Sequence, residues 1–359
     1  MALSKIKANS ITDDSITVDQ IADTAVYGRR NLIINGAMQV AQRGTSSTST
    51  GYQTTDRYTF SMNNFDNAAF TQAQSTIAPA GFTNSWRIDC TTAETALAAD
   101  EYSNFLQIIE AQNLQHIQNG SAGAKSVTLS FYVKSNKTGT YAVTIYKNDQ
   151  TTRQISATYT ISSADTWEYK TITYAGDTTG GGIDNNNGSG FNIYWHLAAG
   201  TNFTSSDSTS WSNYANAGFA YGHAVNIFDS TSNDWAITGI QLEVGDKATP
   251  FEHRSYGEEL LACQRYYEKA QVVNRQPFSD QNGHVFGTPV DFKVVKRATP
   301  TVTLANGYTT DGMASYTVEG HGGGGYSSKT YGFSVQTTSS TTSNSLSMVQ
   351  CDWTADAEL

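Results

Sequence analysis

Charge is scarce in this chain. Asp, Glu, Lys and Arg make up 15% of its 359 residues, against about 25% in ordinary soluble domains. The 22 basic residues are outnumbered by 32 acidic ones, for a net charge of −10 at pH 7. The one basic grouping is Lys293, Lys296 and Arg297. A protein that grips a nucleic-acid duplex must displace counterions with a basic footprint, so nucleic acid is not an expected partner. Cysteine is scarce too. Cys90, Cys263 and Cys351 are odd in number and form no C-x-x-C pair, which argues against a disulfide framework or a zinc cluster. Each is expected to be a free thiol in a core. No stretch approaches the ~18 apolar residues of a membrane span, and Met1–Ser10 holds no apolar core of a secretion signal. The expectation is a protein synthesised in a cytoplasm, with no secretion signal and no membrane insertion.

Ser, Thr, Asn, Gly and Tyr stand where charge is missing, and there are 20 Tyr, 15 Phe and 6 Trp. Thr-, Tyr- and Val-rich runs with turn residues at short intervals predict an all-β chain. Its length allows two domains with a core each.

Residues 1–28 differ from the rest. Ile6, Ile11, Ile16, Ile21 and Val26 recur every five residues, with small and polar residues between. This is neither the helical nor the strand period. It predicts an extended leader in which each repeat offers one aliphatic side chain. A single such segment cannot bury them, so these five residues are the candidates for trimer winding and docking. Burial there would contribute about 1.5–3 kcal/mol per side chain.

Residues 29–252 are expected to form a jelly-roll β-sandwich. Val127, Leu129, Phe131 and Val133 alternate with Thr128, Ser130, Tyr132 and Lys134, giving one apolar and one polar face. Asn136–Gly139 marks a turn, and Tyr141, Val143 and Ile145 resume the alternation. Gly176–Gly190 reads as a long loop, and Ile240, Leu242 and Val244 as a closing strand. Residues 253–284 are expected to be a helix and linker. Ser255 and Glu258 form a capping box, and Leu260, Cys263, Tyr266 and Tyr267 make an apolar stripe over 255–270. Residues 285–359 are expected to form a small C-terminal β domain.

No catalytic constellation stands out. Glycan hydrolysis needs two carboxylates across a cleft, and no local signature singles out a pair. His321–Gly325 resembles an oxyanion loop but has no G-x-S-x-G elbow to serve, and reads as a tip loop. Asp184–Gly188 is oxygen-rich, as hard cations require. Its glycine comes one place early for an EF-hand and its twelfth position is Trp195, so turn chemistry explains it. No enzyme activity, cofactor or metal is expected. The aromatic stretch Asn192–Tyr221 divides in two. Trp195 sits in a strand-like run and is expected in the core. Trp211, Tyr214 and Tyr221 lie in loop-like or less regular surroundings and are the candidate receptor contacts.

Four stretches carry a resemblance. They are Leu3–Ile11; Asn31–Gly44 with Asp56-Arg57-Tyr58; Val127–Ser135 with Thr138–Tyr141; and Ile240–Gly245 with Ala248–Glu252 and Gln264–Tyr267. Together they resemble tail-fibre and tail-fibre-like proteins of tailed bacteriophages, above all short-tailed phages of marine bacteria. The resemblance implies a jelly roll similar to carbohydrate-binding modules, a C-terminal β domain, and a homotrimeric fibre in the virion tail. It implies a leader that holds the fibre to other phage tail proteins and a body that contacts a host cell-surface glycan or protein. The alternative is a purely structural tail adaptor or decoration protein that binds no receptor.

Overall fold

The computed structural model describes residues 29–277, 285–309, 313–319, 328–339 and 346–359. The leader, with Ile6, Ile11, Ile16, Ile21 and Val26, and the His321–Gly325 loop lie outside the described residues.

The first unit holds β1 (Ser46–Ser47), β2 (Tyr58–Asn63), β3 (Ala69–Ser75), β4 (Ser85–Thr92), β5 (Tyr102–Glu110) and β6 (Val127–Ser135). It continues with β7 (Gly139–Lys147), β8 (Arg153–Ile161), β9 (Glu168–Tyr174), β10 (Ser189–Ala199), the one-turn helix α1 (Thr201–Thr204), β11 (Ser212–Asn213) and β12 (Asp234–Val244). Two six-stranded sheets result, in the orders β1-β3-β4-β12-β6-β9 and β11-β8-β7-β10-β5-β2. Neighbours pair antiparallel, and strands distant in sequence lie side by side, as β4 with β12 and β5 with β10. This is the crossed-over pattern of a jelly-roll sandwich.

The alternation read in the sequence decides which face meets the core. Val127, Leu129, Phe131 and Val133 of β6 are all buried between the sheets. Opposite them stand Val143, Ile145, Ile193 and Trp195 in the same core. Trp86 stacks on Phe105 at 4.3 Å, and Phe131 meets Trp195 edge-on at 5.9 Å. All three cysteines are buried free thiols.

Residues 31–36 run beside the first sheet and bond to β12. Strand β12 pairs with β4 over Asp234–Ile237, bulges at Gly239, where φ is +63°, and then takes a new neighbour. The Leu32 N–H donates to the Leu242 carbonyl at 2.9 Å, and the Ile240 N–H to the Gly36 carbonyl at 3.0 Å. A Cβ on Gly36 would stand 2.1 Å from the Ile240 oxygen, so only glycine fits. Asn35 takes a left-handed turn (φ 61°), and its amide donates to the Val40 and Asp56 carbonyls at 2.9 and 3.0 Å. Gly36→Ala is therefore expected to destabilise by about 1–3 kcal/mol, as overpacking against backbone does. A urea titration would show the loss as a lower midpoint at unchanged slope.

The connecting helix α2 (Tyr256–Gln264) begins with the expected capping box: the Ser255 hydroxyl accepts from the Glu258 N–H at 3.3 Å and the Glu258 carboxylate from the Ser255 N–H at 3.1 Å. It is shorter than its pattern predicts, and the expected linker after it is a strand. Tyr266 and Tyr267 leave the helical stripe because two arginines of the sandwich claim their rings, and β13 (Tyr267–Pro277) starts at once. With β14 (Val285–Asp291), β15 (Thr301–Thr309), β16 (Met313–Glu319), β17 (Gly332–Ser339) and β18 (Leu346–Asp356) it builds two three-stranded sheets, β13-β18-β15 and β14-β17-β16. Phe292, Phe333, Val335, Cys351 and Trp353 form their shared core.

The two units are locked together by buried cations. The Arg57 guanidinium, 0% exposed, lies 3.3 Å from the Tyr266 ring centre. It donates to the Ile108 carbonyl at 2.6 Å and pairs with Glu358 near the chain's end. Arg43 covers Tyr267 at 3.7 Å and pairs with Asp356 at 2.9 Å. Arg265 grips Glu110 with two bonds of 2.7 and 2.8 Å. The basic grouping seen in the sequence is used in the same region. Lys296 is buried against Glu268 at 2.5 Å, and Arg297 donates to the Ala357 and Glu358 carbonyls at 2.9 and 3.1 Å.

Candidate functional site

One sheet of the sandwich has an outer face that is only half covered. The excursion between β10 and β12 folds over it, and Phe203 and Phe219 pack there against Tyr102 and Tyr194. The uncovered half is a groove of about 400 Å³. Its floor comes from alternate residues of adjoining strands. Ser61 and Asn63 of β2, Asn104 and Leu106 of β5, and Tyr194 of β10 all line it. The register places them side by side, with Ser61 opposite Asn104 and Leu106 opposite Tyr194. The wall is aromatic, made by Tyr102, Tyr146, Tyr214 and Phe219. Tyr146 meets Tyr214 edge-on at 5.1 Å, and Tyr194 meets Phe219 at 4.9 Å.

The groove's polar equipment is uncharged. Tyr214 donates to the Asn216 amide oxygen at 2.7 Å. Burial pushes the phenols of Tyr146 and Tyr194 up and that of Tyr214 up to about 12, so all stay protonated at neutral pH. Among the described residues, no carboxylate and no cationic side chain lines the groove.

A histidine pair supports the groove from below. His196 is fully buried, with its Nε2 3.1 Å from the Thr144 hydroxyl. That hydroxyl donates to the Phe219 carbonyl at 2.5 Å, tying down the groove wall. His223 accepts the Ala142 N–H on Nδ1 at 3.2 Å and holds the Val225 carbonyl with Nε2 at 2.7 Å. Burial lowers both imidazoles, His223 to about 4 and His196 well below its usual value. A base depressed in the folded state stabilises fully above the unfolded value of about 6.5, and that stability is lost as pH falls from there toward 4. His223 alone accounts for about 3 kcal/mol across this window. Of the six histidines, these two are expected to show no imidazole titration between pH 7 and 5 in a proton NMR series.

The candidate contact residues from the sequence are distributed differently. Tyr214 lines the groove, 37% exposed. Trp211 lies apart from it. Its indole donates to the Ala175 carbonyl at 2.6 Å, and its ring stacks on Phe191 at 6.0 Å, against the sandwich core. Tyr221 is half-buried on a turn, with its N–H donating to the Gly218 carbonyl at 3.4 Å, and does not line the groove. Trp195 is core. Sequence reasoning passed over Tyr102, Tyr146, Tyr194 and Asn104. The available signal was period two. Trp195 faces inward, so Tyr194 and His196 face outward, and Tyr146 is outward beside Ile145.

The Gly176–Gly190 loop is held at its first half by a lysine. Buried Lys147 donates to the carbonyls of Gly180, Gly181 and Gly182 at 2.6, 2.8 and 3.4 Å. A second hollow, of about 500 Å³, lies where residues 29–34 meet α2. Two of its charged groups are bonded to the fold itself. Arg254 donates to the Ile33 and Asn31 carbonyls at 3.1 and 2.5 Å, and Glu252 accepts the Asn31 N–H at 2.8 Å.

No protein family matches the sequence, and no curated protein does. Among solved structures, the chain is similar to the enzymatically active domain of tailspike protein 4 of bacteriophage CBA120, with 15% identity and a TM-score of 0.32 over 60% of this chain. It spans 21% of that tailspike chain. It is also similar to the family 11 carbohydrate-binding module of a cellulosomal cellulase of Clostridium thermocellum, at 12% identity and a TM-score of 0.30, over 58% of this chain and 98% of that one. A xylanase of the same organism, solved with xylohexaose, matches at 11% identity and a TM-score of 0.31, over 60% of this chain and 29% of that one. The sandwich itself follows from the chain's own strand order.

Proposed function

We propose that the aromatic groove is a glycan-contact site and that the chain is a homotrimeric tail-fibre subunit of a phage virion. In this reading its leader attaches it to the tail and its sandwich touches a host-surface glycan. One observation carries the glycan part: Tyr102, Tyr146, Tyr194 and Tyr214 line one groove together with Ser61, Asn63 and Asn104. Aromatic faces pack on the C–H faces of sugar rings, and neutral hydroxyl and amide groups exchange hydrogen bonds with sugar hydroxyls. A few convergent polar groups in an aromatic hollow are the usual make-up of a small-ligand site. The tail part is supported by the four stretches of phage-fibre resemblance and by the period-five leader, whose aliphatic residues need partner chains or a docking surface.

The deciding experiment sizes the full-length protein by light scattering and measures its adsorption to host cells. The reading expects about three times the 38.9 kDa chain mass and saturable adsorption that is competed by the cells' isolated surface polysaccharide. A trimer that ignores the cells would instead make the chain a structural adaptor.

A further inference from the structure

We propose that a row of rings on the outer face of the first sheet is the surface on which the sandwich meets the next copy of this chain in the trimer. The inference rests on the homotrimer reading. The row runs from Tyr169 of β9 and Tyr132 of β6 to Phe82 of the β3–β4 loop, then to Phe251 and His253 beyond β12. Successive ring centres lie 4.9, 5.5, 5.0 and 4.8 Å apart. Tyr132 is on the face of β6 turned away from the core, since its neighbours Phe131 and Val133 are the buried ones. Phe82 lies over the β12 bulge, where a Cβ on Gly239 would stand 2.7 Å from its ring. The row is open to solvent. Tyr169 is 47% exposed, His253 is exposed, and Tyr132, Phe82 and Phe251 are half-buried. Among the described residues no strand lies on the outer side of β9, the last of its sheet.

Contiguous rings left in water mark a contact surface, and an open edge strand invites a partner. The centres of subunit contacts are rich in Tyr and Phe and poor in charge. The charged pair beside Tyr169, Lys170 with Glu168 at 2.5 Å, neutralises itself. Two observations select the occupant. Successive rings are tilted to one another by 45°, 56°, 70° and 73°, so they form ridges that interdigitate with side chains and offer no flat platform to a sugar chain. The row also ends where the leader joins the body. His253 lines the hollow at residues 29–34 together with Arg29, the residue after the leader. Three leaders that wind on one another gather three bodies around Arg29, and this face stands beside that point.

The test oxidises the surface of the full-length protein with hydroxyl radicals and locates the products by mass spectrometry. In the wild-type trimer Tyr169 is expected to be protected to the level of Tyr174, which is 1% exposed, while Tyr308, 57% exposed, reacts. In a dilution series followed by sedimentation, Tyr132→Ser with Tyr169→Ser is expected to raise the concentration at which trimers dissociate at least about tenfold, the worth of one ring at the centre of a contact. Because these substitutions can loosen the sheet, the wild-type footprint is the independent readout. A trimer in which Tyr169 reacts as readily as Tyr308, or a folded variant that dissociates at the wild-type concentration, overturns the inference and leaves the homotrimer standing. A variant that trimerises normally but no longer adsorbs to host cells also overturns it, and makes the row a receptor contact. A wild-type protein that is monomeric at every concentration overturns the homotrimer reading and the inference with it.

Discussion

Arg57→Ala is expected to cost the folded protein about 3–5 kcal/mol and to let the two β units unfold in separate transitions. The guanidinium is wholly buried, sits on the Tyr266 ring and meets Glu358. Its removal leaves the buried Glu358 carboxylate with Arg43 alone, at 3.4 Å, which is the costly way to break a buried ion pair, and it also empties the space over the ring. Glu358→Gln keeps the shape and removes the charge, so it is expected to cost less. The double variant should recover part of the Arg57→Ala loss, because the buried carboxylate left with one longer ion pair is then neutral. Calorimetric melting of the four proteins checks this. A single transition within about 1 kcal/mol of wild type for Arg57→Ala would mean that the contact between the units does not depend on this network.

Tyr146→Ala combined with Tyr214→Ala is expected to weaken binding of the host-surface polysaccharide about 100-fold. Aromatic residues at the centre of a binding site commonly carry 1–2 kcal/mol or more each on truncation, and 1.4 kcal/mol is a factor of ten. The two rings meet each other at the groove's wall at 5.1 Å, and both are partly exposed. Their loss should therefore lower folding stability by less than about 1 kcal/mol each. Affinity electrophoresis in gels containing the polysaccharide would separate the two effects, since a variant that melts normally but runs unretarded has lost binding alone.

What could be read in the sequence was what depends on near neighbours. The alternation at Val127–Val133 gave strand and face together, because a strand's two faces are set by period two. Ser255 and Glu258 announced the start of α2 because a capping box is a local exchange of two hydrogen bonds. The helix end was hidden, since Tyr266 and Tyr267 fit a helical stripe and are drawn out of it by Arg57 and Arg43, more than 200 positions away. The groove was hidden for the same reason. Ser61, Asn104, Tyr146 and Tyr194 share a surface only because β2, β5, β7 and β10 lie side by side, and Tyr214 joins them from the excursion folded over that sheet. Tyr214 could be singled out from its loop-like setting. Trp211, in the same setting, turns inward to Ala175 and Phe191, and nothing in its neighbours distinguishes the two.

The most direct measurement for the groove as the glycan-contact site is competition at the cell surface. Purified wild-type protein and the Tyr146→Ala, Tyr214→Ala variant, matched in mass and melting temperature, are added to host cells before phage. The wild type is expected to block adsorption and the variant to leave it untouched. A variant that blocks as well as wild type would contradict the assignment and move the contact surface elsewhere on the chain.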